Sequence, residues 1–181
     1  MESQDRYRIA LLSAYALALN GFETLIPSPI PWLKPGLANI VTLVTLHLYG
    51  FRAALTVTLI RTLLGSLFLG TFLGPAFFLS MGGGIAGTLA MGLITALFPR
   101  LFSPLGVSLI GAFFHNMGQL FLAYLLFIQR IEAVLVVMPI LATTGILTGA
   151  VNGVAGRYLI EAIESREGMS PPSSGGDILH S

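Results

Sequence analysis

The sequence predicts an all-α integral membrane protein, built as a bundle of about six transmembrane helices. Of its 181 residues, 55% are hydrophobic and only 9% are charged. A soluble domain carries about 25% charged residues because its surface faces water. The mean hydropathy is +0.86, and apolar stretches approach the roughly 20 residues that a membrane-crossing helix needs. Lipid, rather than water, must therefore cover much of the surface.

Charged residues, prolines and glycines divide the apolar sequence into six candidate crossings. We expect them at residues 7–26, 36–50, 52–70, 75–98, 105–128 and 133–160. Residues 1–163 then form one polytopic helical domain. The polar residues 164–181, rich in proline and serine, predict a disordered cytoplasmic tail. Within the fourth crossing, the run Gly82-Gly83-Gly84 predicts a loosened or broken helix.

The distribution of basic residues predicts the orientation of the bundle. With the N-terminus in the cytoplasm, the outer loops hold only Lys34 and Arg130. The inner ends then hold Arg6, Arg8, Arg52, Arg100, Arg157 and Arg166. Because cytoplasmic loops carry the excess of lysine and arginine, both termini are expected in the cytoplasm. The N-terminal segment shows no signal-peptide cleavage pattern, so the first crossing is expected to be retained.

Composition also excludes several classes of function. The chain has no cysteine and a net charge of +1. These values argue against thiolate catalysis, Cys-ligated metal and a nucleic-acid partner. Three histidines without a ligand-like spacing make a metal site improbable, and no cofactor is expected.

Ionisable residues inside the crossings predict a functional site. Arg61 lies about nine residues into its crossing, hence near mid-membrane, and Glu23 lies toward the outer end of the first. A charge at that depth costs roughly 2.5 to 3.5 kcal/mol on insertion scales. Pairing Glu23 with Arg61 or with Lys34 would lower this cost. Such a pair either fixes the helix register or faces a substrate, and the sequence leaves both open.

The proline-rich segment before Asn39 predicts an anion-binding loop. Four prolines within residues 27–35 forbid a regular helix, and the helix that follows spans only about 22 Å. We expect the loop to re-enter the membrane from outside and to place Lys34 beside a helix N-terminus. Both favour a carboxylate or phosphate, and Asn39 could donate a hydrogen bond. Alternatively, Lys34 contacts only lipid head groups and the prolines form a stiff turn.

The fifth crossing carries His115, Asn116 and Gln119, of which the first and last share one helix face. These side chains suit either the lining of a ligand cavity or hydrogen bonds between helices.

Small residues recur every four positions on three crossings. Gly145, Gly149 and Gly153, together with Gly83 and Gly87, predict close helix packing inside the bundle. On the first crossing the stripe consists of Ala10, Ala14 and Ala18. It is compatible either with internal packing or with docking of a partner's helix.

Four segments also resemble a known bacterial family. They are KPGLANIVTL at 34–43, RTLLGSLFLG at 61–70, SMGGGIAGTLAM at 80–91 and GAFFHNMGQL at 111–120. In order and spacing they resemble the family labelled heptaprenyl diphosphate synthase component I, also called the Gx transporter family. The resemblance covers roughly residues 8–160 and implies a bacterial cytoplasmic-membrane protein.

That family is similar to the substrate-binding S components of energy-coupling-factor (ECF) vitamin transporters, which have six helices. In these, an alanine stripe on the first helix docks on a coupling subunit, and Ala10, Ala14 and Ala18 match that pattern. The resemblance therefore implies a substrate-binding transport subunit for a small anionic or amphipathic molecule, such as a vitamin, a flavin or an isoprenoid or quinone precursor. An ECF coupling subunit and ATPases would be its partners.

The other family label implies a role in isoprenoid synthesis. Prenyl-chain elongation needs aspartate-rich clusters that hold Mg²⁺, but the only aspartates are Asp5 and Asp177. The chain is therefore not expected to be an enzyme, and without a nucleotide-binding loop it cannot hydrolyse ATP. The alternative hypothesis is a non-catalytic membrane subunit of heptaprenyl diphosphate or menaquinone synthesis beside a soluble prenyl synthase, or of a flavin-linked redox complex.

Overall fold

The computed structural model describes residues 3–23, 39–99 and 101–167, and these residues form a helical bundle without strands. The helices are α1 Ser3–Glu23, α2 Asn39–Phe68, α3 Pro75–Leu97, α4 Pro104–Ala123 and α5 Ile131–Glu167, with a π-helical turn at Tyr124–Ile128. Within this part of the chain, four helices are long and apolar enough to cross a membrane, and α1 contains the shorter apolar stretch Ile9–Leu19. The predicted all-α membrane bundle is confirmed.

Helix α2 is a hairpin rather than one straight rod. The hydroxyls of Thr42 and Thr58 lie 3.1 Å apart. Nη2 of Arg61 donates to Oδ1 of Asn39 over 2.7 Å. In a straight helix these pairs would be roughly 24 and 33 Å apart, at about 1.5 Å per residue. Since both pairs are centred on Gly50, the chain reverses there into two antiparallel arms, residues 39–49 and 51–68.

Glycine is needed at this reversal. Gly50 has φ 81° and ψ 179°, a backbone conformation that a residue with a Cβ rarely adopts. The predicted second and third crossings are therefore the two arms of one hairpin. The described part of the first arm, residues 39–49, is about 16 Å long, roughly half of the hydrocarbon core.

The α2 hairpin is the centre of the bundle. It contacts α1, α3, α4 and α5, whereas α3, α4 and α5 pack against each other in chain order. Among the described helices, α1 packs only on α2. There Ile9 and Ala16 are buried against Val41, Ala53 and Val57 of the two arms.

Glycines set the distance between α4 and its two neighbours. A Cβ on Gly87 would lie 2.8 Å from the Gly111 carbonyl oxygen, and one on Gly149 would lie 3.0 Å from Cβ of Ala112. Gly153 approaches Leu105 in the same way. The predicted packing role of these glycines is confirmed.

The prediction of a broken helix at Gly82-Gly83-Gly84 is wrong, because α3 is continuous through this run. Gly83 lies against the backbone of His115 in α4, and Gly84 lies against Thr58 in α2. Packing on both sides holds the helix where intrinsic propensity alone would weaken it.

The two ends of the bundle are distinct. The turn at Gly50, the α3–α4 turn and the end of α5 lie together: His47 lines a cavity with Pro99 and is 3.8 Å from Glu164. We call this the basic end, since Arg52 and Arg157 are near it. The end with Gly70 and Arg130 is the opposite end. That the basic end faces the cytoplasm stays a prediction from the positive-inside rule.

A candidate ligand site at mid-membrane depth

The α2 hairpin positions an arginine in the middle of the bundle. Arg61 and Asn39 each lie eleven residues from Gly50, which is about 16 Å along either arm. The Arg61 side chain is 6% exposed, and its guanidinium donates to the Asn39 carboxamide oxygen. The cation therefore lies near the bilayer centre, where an ionisable residue marks a functional site by default.

Three threonines lie one helical turn from Arg61 toward the basic end. The Thr58 hydroxyl is 3.1 Å from that of Thr42 and 3.0 Å from that of Thr88. At most 1% of each side chain is exposed. This threonine layer ties both arms of the hairpin to α3 and fixes the level at which Arg61 is held.

Helix α4 contributes His115 and Gln119 on one face. Their Nε2 atoms lie 3.1 Å apart, and the side chains are 5% and 4% exposed. The Gln119 amide nitrogen faces Nε2 of His115 and can only donate, which assigns Nε2 as the acceptor and the ring proton to Nδ1. The face therefore offers one N–H donor and, at Oε1 of Gln119, one acceptor.

Two adjacent glycines of α3 bring the α2 and α4 side chains to the same level. A Cβ on Gly83 would lie 2.6 Å from Cγ of Gln119, and one on Gly84 would lie 3.8 Å from Nη2 of Arg61. We call Asn39, Arg61, His115 and Gln119 the polar layer.

The α4 part of the polar layer has unused hydrogen-bonding capacity. Nδ1 of His115 and Oε1 of Gln119 are buried and make no hydrogen bond of good geometry to a described residue, although the Gly83 backbone approaches the imidazole. A buried polar atom without a partner costs about 1–3 kcal/mol. Such atoms are where a ligand would gain most from binding.

The structure separates Asn116 from the other predicted site residues. Its carboxamide nitrogen donates to the Leu141 carbonyl oxygen of α5 over 2.7 Å, and Gly145 lies against it. This contact is the hydrogen bond between helices that the sequence left open as the alternative. Lys34, the Glu23 side chain and the loop at 27–35 lie outside the described residues, so their pairing and re-entry stay predictions.

The alanine stripe of α1 is exposed beside the second arm of α2. Ala10, Ala14 and Ala18 are exposed, whereas Ser13 and Ala16 on the other side of the helix are buried. Ala14 and Ala18 line an open apolar groove with Gly65 and Phe68 of α2 and with Leu69, which follows it. The use of the stripe as a docking face stays a prediction. Within the described residues, no three His, Cys, Asp or Glu side chains group as metal ligands would.

The threonine layer and the role of Gly84 were missed from the sequence, and Gly83 was predicted only as a packing residue. A signal was present, however. Asn39 and Thr42 precede Gly50 at the same distances at which Thr58 and Arg61 follow it. Residues at equal distances from the turn of a helical hairpin lie opposite each other, so this spacing would pair Asn39 with Arg61 and Thr42 with Thr58.

The helices and the buried layer together define the class: a multi-pass helical membrane protein that encloses a polar site at mid-depth. The chain belongs to the heptaprenyl diphosphate synthase component I family, whose sequence profile matches residues 12–159. That match spans the whole polar layer. Comparison with functionally curated proteins and with solved structures gives no match to this chain.

Proposed function

We propose that the protein is a membrane subunit that binds a small anionic or amphipathic molecule in the polar layer and takes part in its transport. The observation that carries this proposal is the convergence of Arg61 and Asn39 from α2 with His115 and Gln119 from α4 at one buried level. A buried cation beside unused hydrogen-bonding atoms is the arrangement that recognises a polar ligand in an apolar pocket.

Each part of the layer has a distinct task in this proposal. The guanidinium of Arg61 attracts the anionic group, and its fixed fork of N–H donors matches a carboxylate or phosphate. Two hydrogen bonds orient the ligand: Nδ1–H of His115 donates to it, and Oε1 of Gln119 accepts from it. The apolar part of a vitamin, flavin, isoprenoid or quinone precursor would contact the surrounding helices. Lys34 and Glu23 are proposed to complete the site.

In a transport complex, the partner proteins would bind the exposed alanine stripe of α1. Ala10, Ala14 and Ala18 offer an exposed stripe of small residues, on which a helix of an ECF coupling subunit could pack closely. ATPases in the same complex would supply the energy.

The family match favours a second candidate. A protein named component I implies a component II, so the chain could be a non-catalytic membrane partner of a prenyl diphosphate synthase. Residues 12–159 contain no aspartate, so this segment offers no aspartate-rich site for Mg²⁺ and a diphosphate. Chain elongation would then take place on the partner.

The ligand site is tested by substitution at Arg61. The full chain, reconstituted in lipid nanodiscs, is titrated with riboflavin, isopentenyl diphosphate and farnesyl diphosphate. For any probe that binds, Arg61→Gln should weaken binding by about tenfold or more, since a charge-assisted hydrogen bond contributes about 1.5–3 kcal/mol. Arg61→Lys should have a smaller effect, because it keeps the charge and loses the fork.

Arg157→Gln is the matched control, because Arg157 is exposed on α5. Equal affinities for the wild-type, Arg61→Gln and Arg157→Gln proteins would contradict the site. Affinity purification from a native host separates the two functions. A coupling subunit with ATPases supports transport, and a soluble prenyl synthase supports the accessory role. Finding redox proteins with no bound ligand would argue against both.

A further inference from the structure

A cavity lies at the basic end, away from the polar layer. Its volume is about 230 Å³, and it lies between the 39–49 arm, α3, the α3–α4 turn and α4. Two of its lining residues are polar, His47 and Thr95. His47 is half-exposed beside Glu164, so the cavity reaches the surface of the bundle. None of these residues belongs to the polar layer.

One apolar layer separates this cavity from the interior of the bundle. Leu43, Leu46, Ala54, Met91 and Val107 form a single buried cluster contributed by both arms of α2, by α3 and by α4. Leu43, Leu46 and Val107 also line the cavity. The cluster is therefore the floor of the cavity, and we call it the apolar seal.

The far side of the apolar seal is polar again. On α3, Thr88 of the threonine layer, Met91 of the seal and Thr95 of the cavity follow one another along the helix. Thr88 and Thr95 are seven residues apart, which is about 10 Å along the axis. Arg61 is one further turn above the threonine layer. The basic-end cavity and the buried threonine layer are thus separated by a thin apolar barrier.

Met91 is the residue of the seal best suited to move. Met91 is 2% exposed and packs on Gly111 of α4. A Cβ on Gly111 would lie 2.6 Å from the Met91 sulfur. Methionine is unbranched and has three rotatable bonds, so it can adopt another rotamer at lower cost than a β-branched residue. The missing side chain at position 111 provides the space that Met91 occupies when the seal is closed.

We propose that the basic-end cavity is an exit site for the ligand of the polar layer, and that the apolar seal is a gate which Met91 opens. This inference rests on the proposed transport function. In the structure the gate is closed, so a polar ligand held at Arg61 is separated from the cavity. Movement of Met91 would join the threonine layer to Thr95 and His47 and give the ligand a polar path to the basic end.

The absence of cysteine from the chain allows a direct test. Single cysteines are introduced as Thr95→Cys in the cavity and as Thr88→Cys behind the seal. The full chain is placed in sealed vesicles, and a membrane-impermeant sulfonated maleimide is added to one side or the other. Glu161→Cys and Glu132→Cys are matched exposed controls near the two ends of α5. Labelling after denaturation gives the total thiol.

We expect Thr95→Cys to react from the side that labels Glu161→Cys, whereas Thr88→Cys should stay unlabelled. Adding Met91→Ala to Thr88→Cys should speed its labelling by at least about tenfold, because the cavity that is left lowers the free energy of opening. If the Met91→Ala protein does not assemble, Leu46→Ala thins the same seal from the 39–49 arm and should have the same effect.

Three results would overturn the inference. Thr95→Cys that is inert from the Glu161 side means that the cavity does not open there. Thr88→Cys that reacts as fast as Thr95→Cys in the otherwise unchanged chain means that there is no seal. A rate for Thr88→Cys that neither Met91→Ala nor Leu46→Ala changes means that this cluster is not the gate. None of these measurements depends on ligand affinity at Arg61, so failure of the gate is distinct from failure of the ligand site.

Discussion

The two sides of α4 use polar side chains in opposite ways. Toward α5, Ser108 donates to the Gly149 carbonyl oxygen over 2.8 Å and Asn116 donates to that of Leu141 over 2.7 Å. Toward α3, His115 and Gln119 bond each other, and Nδ1 of His115 and Oε1 of Gln119 make no hydrogen bond of good geometry to a described residue. Glycines bring the neighbouring helix close on both sides, so helix spacing does not explain the difference.

This contrast distinguishes a helix contact from a binding site. Hydrogen bonds to a neighbouring backbone hold two helices together in lipid. Buried donors and acceptors without partners lower stability, so a protein retains them where they serve another purpose. The α5 side of α4 is therefore structural, and the α3 side is where function is expected.

The largest expected effect comes from substituting the glycines that set the distance between α4 and its two neighbouring helices. Gly87→Val and Gly149→Val should each prevent α4 from packing, at a cost of about 3 kcal/mol or more, because backbone on the facing helix cannot move away. Fluorescence-detected size-exclusion chromatography in mild detergent should show aggregated or unfolded protein. Gly21→Ala is the control, since its Cβ meets no atom within 4 Å and the fold should persist. A monodisperse Gly87→Val protein would show that the α3–α4 distance is not fixed by glycine.

The second prediction tests the α5 side and the α3 side of α4 independently, by substituting one polar residue on each. Asn116→Leu should lower the free energy of unfolding by about 1–3 kcal/mol, because it removes the bond to α5, while ligand affinity is retained. Gln119→Met should change stability by less than about 0.5 kcal/mol, because one lost bond is offset by removal of an unpaired acceptor. Its affinity for the bound probe should fall by about tenfold. If the two variants exchange these phenotypes, the assignment of the two sides is reversed.

A smaller effect is expected in the threonine layer, which supports the α3 side from below. Thr58→Val keeps the shape of the side chain and removes hydroxyl contacts to Thr42 and Thr88. We expect a loss of about 1 kcal/mol in thermal or denaturant unfolding. Thr56→Val on the same arm is the matched control, because its exposed hydroxyl bonds only the Arg52 carbonyl oxygen. Equal stability of both variants would mean that the layer contributes packing alone.

The smallest effect belongs to a polar contact outside both sides of α4. Nε of Arg157 donates to Oε1 of Glu161 over 2.8 Å, one turn apart on exposed positions of α5. Solvent and salt screen such a pair, so Arg157→Ala should leave both stability and ligand affinity unchanged within error. A measurable loss of affinity would point to a contribution from the basic end that the polar layer does not account for.

The helix composition and most of the packing could be predicted from the sequence, because apolar length and glycine spacing are local signals. Pro75 and Pro104 begin α3 and α4, in agreement with the use of prolines to divide the sequence into crossings. The reversal at Gly50 was predicted as the boundary between the crossings at 36–50 and 52–70, but the side chains that pair across it were not. The pairs of Thr42 with Thr58 and of Asn39 with Arg61 appear only once the chain has reversed. For the glycine run of α3 the local signal misled, because packing against α2 and α4 keeps the helix continuous despite the low helix propensity of glycine.

The candidate site was predicted in composition but not in arrangement. Arg61, His115 and Gln119 were conspicuous because polar groups are rare at membrane depth. Nothing local distinguishes Asn116 from Gln119, which lie three residues apart on one helix. Their separation depends on which neighbour each side chain meets, and that is a property of the assembled bundle. The alanine stripe is a similar case, because spacing alone does not tell an inner face from an outer one.

The reversal at Gly50 also constrains how the chain enters the membrane during synthesis. Residues 39–49 carry Asn39, Thr42 and Thr45, polar side chains that are costly in lipid unless they find hydrogen-bond partners. The groups that satisfy Asn39 and Thr42 are translated only 16 to 22 residues later. We therefore expect the two arms to enter the membrane together, as a hairpin. A residue with a Cβ at position 50 would then be seen first as a failure of insertion, before any ligand could be tested.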